Sequence, residues 1–349
     1  MATRRSRGRC SSPWADGRDL TRDRVRTVRM RRRGAILAAL VLALAVPAGV
    51  ARAGGSLRGY VLLPASGRLV IVDVDAARVV GSVSVPRGSG PLVASIDGRR
   101  VLVANPRRGI VTEIDGVAGR RTRTIAGLGD PVAILLVPRA DVGLVRPRYA
   151  LVADGRGWID TLDLDTGTLA ARIAVGHPSV MAMANGQLWV ASAGRATLTQ
   201  LDVGDPARPR VVARPSIGLQ PVGLAIDSGI AIGVDGVSLG GSLVQLDGVS
   251  LARTRIRALG TPITQLLGGD GGLVWAAGVR GRVLGVRARD GRVVDVMHVP
   301  PGSRLSLAGG WLAATHGRSL GLVPLGTTRR PRTIALPGAA GDAAFSVQP

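Results

Sequence analysis

The chain has 349 residues, with 46 basic against 23 acidic side chains and no lysine, so every basic residue is an arginine. A hydrophobic content of 46% excludes a disordered chain. The single cysteine, Cys10, excludes a disulfide scaffold or a cysteine metal cluster, and His177, His298 and His316 lack the spacing of a His-rich zinc site.

Residues 1–53 read as a targeting segment. Arg29 and Arg31 to Arg33 form a basic start, and Ala35 to Val46 is an uninterrupted apolar run. Pro47 and Gly49 break that run, and Ala51-Arg52-Ala53 is a small-x-small cleavage site before Gly54. The expectation is a secretory signal peptide over 1–53, with Met30 the favoured initiator and residues 54–349 secreted or held in the cell envelope. The alternative is an uncleaved membrane anchor, which also leaves the remainder outside the cytoplasm. No Cys follows the apolar run, so a lipoprotein anchor is excluded, and Arg32-Arg33 is only a weak twin-arginine signal.

From Gly54 onward a unit of about forty residues repeats. Prolines open similar segments at Pro91, Pro131, Pro178, Pro221, Pro262 and Pro301. A second apolar run follows each, as at Val101 to Asn105, Tyr149 to Asp154, Leu188 to Ser192, Leu273 to Ala277 and Trp311 to Thr315. Third runs mostly end in Asp, at Asp73, Asp115, Asp163, Asp202 and Asp247, and fourth runs include Val79 to Val83 and Leu169 to Ile173. Runs of four to six β-branched residues bounded by Gly, Asp and Pro are strand chemistry, and four short strands per unit describe a β-propeller blade.

The segment Asp97-Gly-Arg-Arg-Val-Leu-Val-Ala-Asn105, together with Asp165-Thr-Gly167 through Ile173-Ala-Val-Gly-His-Pro178, resembles the YVTN-repeat (YncE-like) β-propellers. The resemblance covers residues 60–348 and is strongest in blades two to four. It implies an all-β propeller fold, and counting the blades gives a single seven-bladed propeller over 54–349. Six blades are proline-led. The seventh is assembled from strands in residues 60–86 and a C-terminal strand, Asp342 to Val347, a pairing that removes open sheet edges. Relatives of this kind include extracytoplasmic binding and surface proteins. Similar propellers include lactonases and quinone-dependent dehydrogenases, so the resemblance also leaves open an extracytoplasmic enzyme.

The recurrent Asp residues are expected to cap their own turns rather than bind cations, because a site needs one point of convergence. Gly236-Val-Ser238-Leu-Gly240 matches a nucleophile elbow in letters, but it lies between strand runs with no helix. The loop after the second strand carries arginine in six of seven units: Arg68, Arg107 and Arg108, Arg156, Arg195, Arg280 and Arg282, and Arg318. Arginine is suited to gripping phosphate or carboxylate, and several on one face would focus field on an anion. His177 and His316 are expected in loops of that same face as secondary candidates. No catalytic residue, metal or cofactor is assigned. The expectation is a monomeric, non-enzymatic binding module. Its ligand is an anionic envelope polymer or a protein partner, and with so few aromatics nucleic acid is poorly supported. Trp158, Trp189, Trp275 and Trp311 are read as packing between blades.

Overall fold

The computed structural model describes residues 56–348, apart from 140–142, 193–195, 218–220, 227–229, 235–240, 247–252, 270–271 and 327–329, and without the side chains of 230–234, 253–257 and 348. The expected signal peptide over 1–53, the elbow-like Ser238, Asp247 and Arg195 lie outside the described residues. No described helix is long and apolar enough to cross a membrane.

The described chain forms seven four-stranded antiparallel sheets. Six use four consecutive strands. Sheet 2 comprises Leu92–Ala94, Val101–Asn105, Ile110–Asp115 and Arg120–Ile125; sheet 3 comprises Pro131–Leu136, Tyr149–Asp154, Trp158–Asp163 and Thr168–Ala174. Sheet 4 runs from Pro178–Ala184 to Arg210–Ala213, sheet 5 from Pro221–Ile226 to Arg253–Ala258, sheet 6 from Ile263–Gly268 to Val293–His298, and sheet 7 from Arg304–Ala308 to Arg332–Ala335. Sheet 1 is a composite. Its second to fourth strands are Ser56–Leu63, Arg68–Asp73 and Arg78–Ser84, and its inner strand is the C-terminal Ala343–Gln348. The two ends pair in the register Ser56 with Gln348 through Val61 with Ala343. The inner strands of sheets 2 to 7 contact one another in sequence, and Ala343–Gln348 touches the inner strands of both sheet 7 and sheet 2. The architecture is a β-propeller.

The cores lie between sheets, and this explains the sequence pattern. Side chains alternate along a strand. Val101 and Val103 therefore pack toward sheet 1, while Leu102 and Ala104 pack toward sheet 3. Ala150 and Val152 face sheet 2, while Leu151 and Ala153 face sheet 4. Second and third strands are buried on both faces and so read as continuous apolar runs. Fourth strands lie at the rim, where Thr168–Ala174 is mostly exposed. Proline begins an inner strand at little cost because its missing N–H falls at the first ladder position. Next to Pro131, Pro178 and Pro221 the pairing slips by one residue.

Candidate functional site

Within each sheet the chain runs inner, second, third, fourth strand. Loops between second and third strands, and connections from one sheet to the next, therefore share one face, here the upper face. The other loops form the lower face.

The upper loops are pinned by a bond that recurs around the ring. The residue just after a fourth strand donates its N–H to a carbonyl in the preceding upper loop: Val85 to Gly67, Leu128 to Gly109, Val175 to Gly157, Leu259 to Gly241 and Val299 to Gly281. Gly109 and Gly281 have φ of 60° and 78°, and a side chain there would collide with the carbonyls of Leu128 and Val299. Glycine alone avoids the clash at these two positions. In sheet 7 Arg318 fills this place, accepting from Leu336 and donating its own guanidinium to Pro337 O at 3.2 Å.

The predicted arginines flank these pinned positions. Arg68, Arg107, Arg108, Arg156, Arg280, Arg282 and Arg318 are all exposed. None makes an ion pair among the described residues, whereas three lower-face arginines do. Arg100 pairs with Asp165, Arg148 with Asp163 and Arg287 with Asp290. The asymmetry has a local cause. Third strands end in Asp on the lower face, and those carboxylates turn back on their own loops. Asp73 accepts from Ala76 N, Asp115 from Val117 N and Ala118 N, Asp163 from Asp165 N and Thr166 N, and Asp202 from Gly204 N. The carboxylates that end third strands are thereby held on the lower face, away from the upper-loop arginines.

The predicted arginines do not line the central opening itself. Loops after second strands sit part-way out along each blade. A cavity of about 300 Å³ at the starts of the inner strands is lined instead by Ser179, Gln265, Arg304, Asp342 and apolar residues such as Leu92 and Val132. There Arg304 Nη1 meets Asp342 Oδ1 at 2.5 Å, and Gln265 both accepts from Leu305 N and donates to Leu305 O. Among the described residues no three of His, Cys, Asp and Glu come together as a metal set. His177 and His316 lie on sheets well separated around the ring. His177 Nδ1 is 3.0 Å from Gly155 O, beside Arg156, while His316 is half-buried at the end of a second strand.

One upper-face element has no counterpart among the expected residues. Asp154, 1% exposed at the end of its second strand, accepts N–H bonds from Gly129, Asp130 and Arg156 at 2.8, 2.9 and 2.9 Å. Asn105 holds the equivalent place, bonding Arg87 O, Ser89 Oγ and Arg108 N, and Thr315 donates to Gly341 O. In these three sheets the polar residue staples the upper loop to the connection beside it, and in sheets 2 and 3 it fixes Arg108 and Arg156. Its signal in the sequence is an Asn, Asp or Thr closing an apolar run. Burial pushes the Asp154 carboxyl up, but the three backbone N–H groups and Arg172 outweigh it and hold it below the usual range. A depressed carboxylate contributes stability above its unfolded pKa and loses it as pH falls through the folded value. Asp154→Asn is therefore expected to cost about 2 kcal/mol at neutral pH, by unpairing buried N–H groups. It should also flatten the loss of stability below about pH 4, both read by denaturant titration across pH. An acid limb as steep as the parent's would contradict this.

Trp158 is a second difference. Trp189, Trp275 and Trp311 are buried between sheets as expected, but Trp158 is 39% exposed, because it opens its third strand at the upper face.

No protein-family model matches the chain, and no curated protein sequence does. Solved structures do. Apo AztD from Citrobacter koseri is 12% identical with a TM-score of 0.55, covering 84% of this chain and 98% of that one. A functionally unknown protein from Desulfotomaculum acetoxidans DSM 771 is 10% identical with a TM-score of 0.69, covering 83% and 98%. At such identity the likeness is one of fold.

Proposed function

We propose that this chain is an exported propeller of the YVTN-repeat kind, its composite sheet serving as the seventh blade, that binds an anionic polymer of the cell envelope on its upper face. The observation that carries this reading is the set of seven exposed arginines on pinned loops of that face, none of which makes an ion pair among the described residues, whereas Arg100, Arg148 and Arg287 of the other face do. Pinned loops hold the cations in place before binding, so little ordering is lost on contact. A binding role is favoured over catalysis because the acid at the central opening, Asp342, is neutralised by Arg304.

The test uses linear inorganic polyphosphate as a defined polyanion. An exposed contact contributes about 0.5 kcal/mol, so replacing Arg107, Arg156 and Arg282 together by Ala should weaken binding about tenfold and reduce its salt dependence. The same change at Arg120, Arg208 and Arg292 on the lower face should alter it far less. Equal losses from the two sets would mean that diffuse charge, not this face, does the binding.

A further inference from the structure

The lower face holds a second cavity, of about 310 Å³, between sheets 2 and 3. It is lined by Arg99, Arg100, Arg146, Glu113, Asp115 and Thr122. Its charges fall into two groups. Arg100 is committed: Nη1 donates to Pro147 O at 2.8 Å, Nη2 meets Asp165 at 2.6 Å, and Nε lies 3.6 Å from Glu113. Arg99 and Arg146 make no ion pair among the described residues.

Two acceptors on the same wall have hydrogen-bonding capacity left. Asp115 Oδ1 caps its turn, while its Oδ2 receives no hydrogen bond from a described residue. The Glu113 side chain is 5% exposed, and its Oε2 lies 2.8 Å from Arg123 Nε but has no donor aligned to it. Arg99 and Arg146 thus share the cavity wall with Asp115 without pairing to it, while Glu113 is already flanked by Arg123 and Arg100. The scaffold enforces the separation. Asp97 holds the backbone N of Arg99, Arg100 anchors Pro147, and Arg146 between them takes φ of 112°, which a side chain seldom adopts. Strain of this kind persists where the surroundings over-determine it, and it gathers at ligand sites.

We propose that this cavity binds a free α-amino acid, its carboxylate taken by Arg99 and Arg146 and its ammonium by Asp115 and Glu113. A plain anion would meet the two carboxylates, and a plain cation the two free guanidiniums, so only a ligand carrying both charges satisfies both groups. The volume lies at the small end of ligand sites, which suits a single amino acid. Burial pushes the Glu113 carboxyl up, against the opposing pull of Arg123 and Arg100. An incoming ammonium would favour its charged form.

The experiment is calorimetric titration of the full protein with neutral L-amino acids one at a time, then with the N-acetyl derivative and the methyl ester of whichever binds best. The expected result is binding of the free amino acid and at least tenfold weaker binding of each blocked form, each having lost one charge-assisted contact. Arg146→Ala and Asp115→Asn should each weaken binding about tenfold as well. Asp115→Asn keeps the Oδ1 that caps the turn, so an unchanged melting temperature separates lost binding from lost structure. Arg292→Ala should bind as the parent does. The proposal is overturned if no amino acid binds at millimolar concentration, if the N-acetyl derivative or inorganic sulfate binds as well as the free amino acid, or if Asp115→Asn binds undiminished.

Discussion

Removing residues 343–349 is expected to abolish the cooperative melt of the whole protein, not merely to lower it. The strand Ala343–Gln348 fills an inner position, paired along its length with Ser56–Leu63 and touching the inner strands of sheets 2 and 7. It carries long-range bonds besides: Tyr60 Oη to Ser346 Oγ at 3.1 Å and Val347 N to Ile96 O at 2.7 Å. Phe345 and Val347 pack on the cluster that joins sheets 7 and 1, around Trp311 and Val70. Truncation would strip one edge of sheet 1, open the ring of inner strands and unpack that cluster at once. In a domain of this size 1 kcal/mol moves the melting temperature by about 2 °C, so losing one core residue would be a modest shift, whereas baring the edge of Ser56–Leu63 exposes a template for aggregation. Thermal melts followed by circular dichroism decide it. A truncated protein that melts cooperatively within a few degrees of the full chain would show that the ring does not depend on this closure.

The second large effect is expected at Arg172. Asp160 sits in the middle of its third strand with a fully buried side chain, and Arg172 from the fourth strand grips both oxygens at 2.6 and 3.0 Å while also donating to Gly127 O. Arg172→Met would strand a carboxylate inside the blade. Breaking a buried pair from one side costs about 3–5 kcal/mol, and the partial exposure of Arg172 places this case near the lower end. The companion prediction gives the test its sign. Replacing both partners, Asp160→Leu with Arg172→Met, should recover most of the loss, because no charge is then left unsolvated. Urea unfolding of the single and double variants measures both. A double variant less stable than Arg172→Met would mean that the pair contributes more than the cost of burying it.

Much of this fold could be read along the chain because its signals are local. A strand buried on both faces must be apolar throughout, as Tyr149–Asp154 is, and a tight turn must be capped, as Asp115 caps its own. Repetition multiplies those signals, so the forty-residue unit, the proline-led inner strands and the arginines after second strands were all legible. The Asp residues that end third strands were likewise legible as turn caps, since Asp73, Asp115, Asp163 and Asp202 each find their donors within three residues.

Relations between blades were not legible in this way. Arg100 and Asp165 are 65 residues apart, yet they meet across neighbouring sheets, and Arg304 and Asp342 meet at the central opening after a separation of 38. No periodicity encodes such pairs, because each depends on the rotation that stacking imposes on adjacent sheets. The same holds for Trp158, whose strand reads like its equivalents but whose ring emerges at the upper face. Residue type and spacing thus determined the blade and the turn that displays each upper-face arginine. Only the tertiary structure decided which of those charges stay unpaired, because neutralisation depends on distance through space and acids and arginines from different blades come together only when the ring is built.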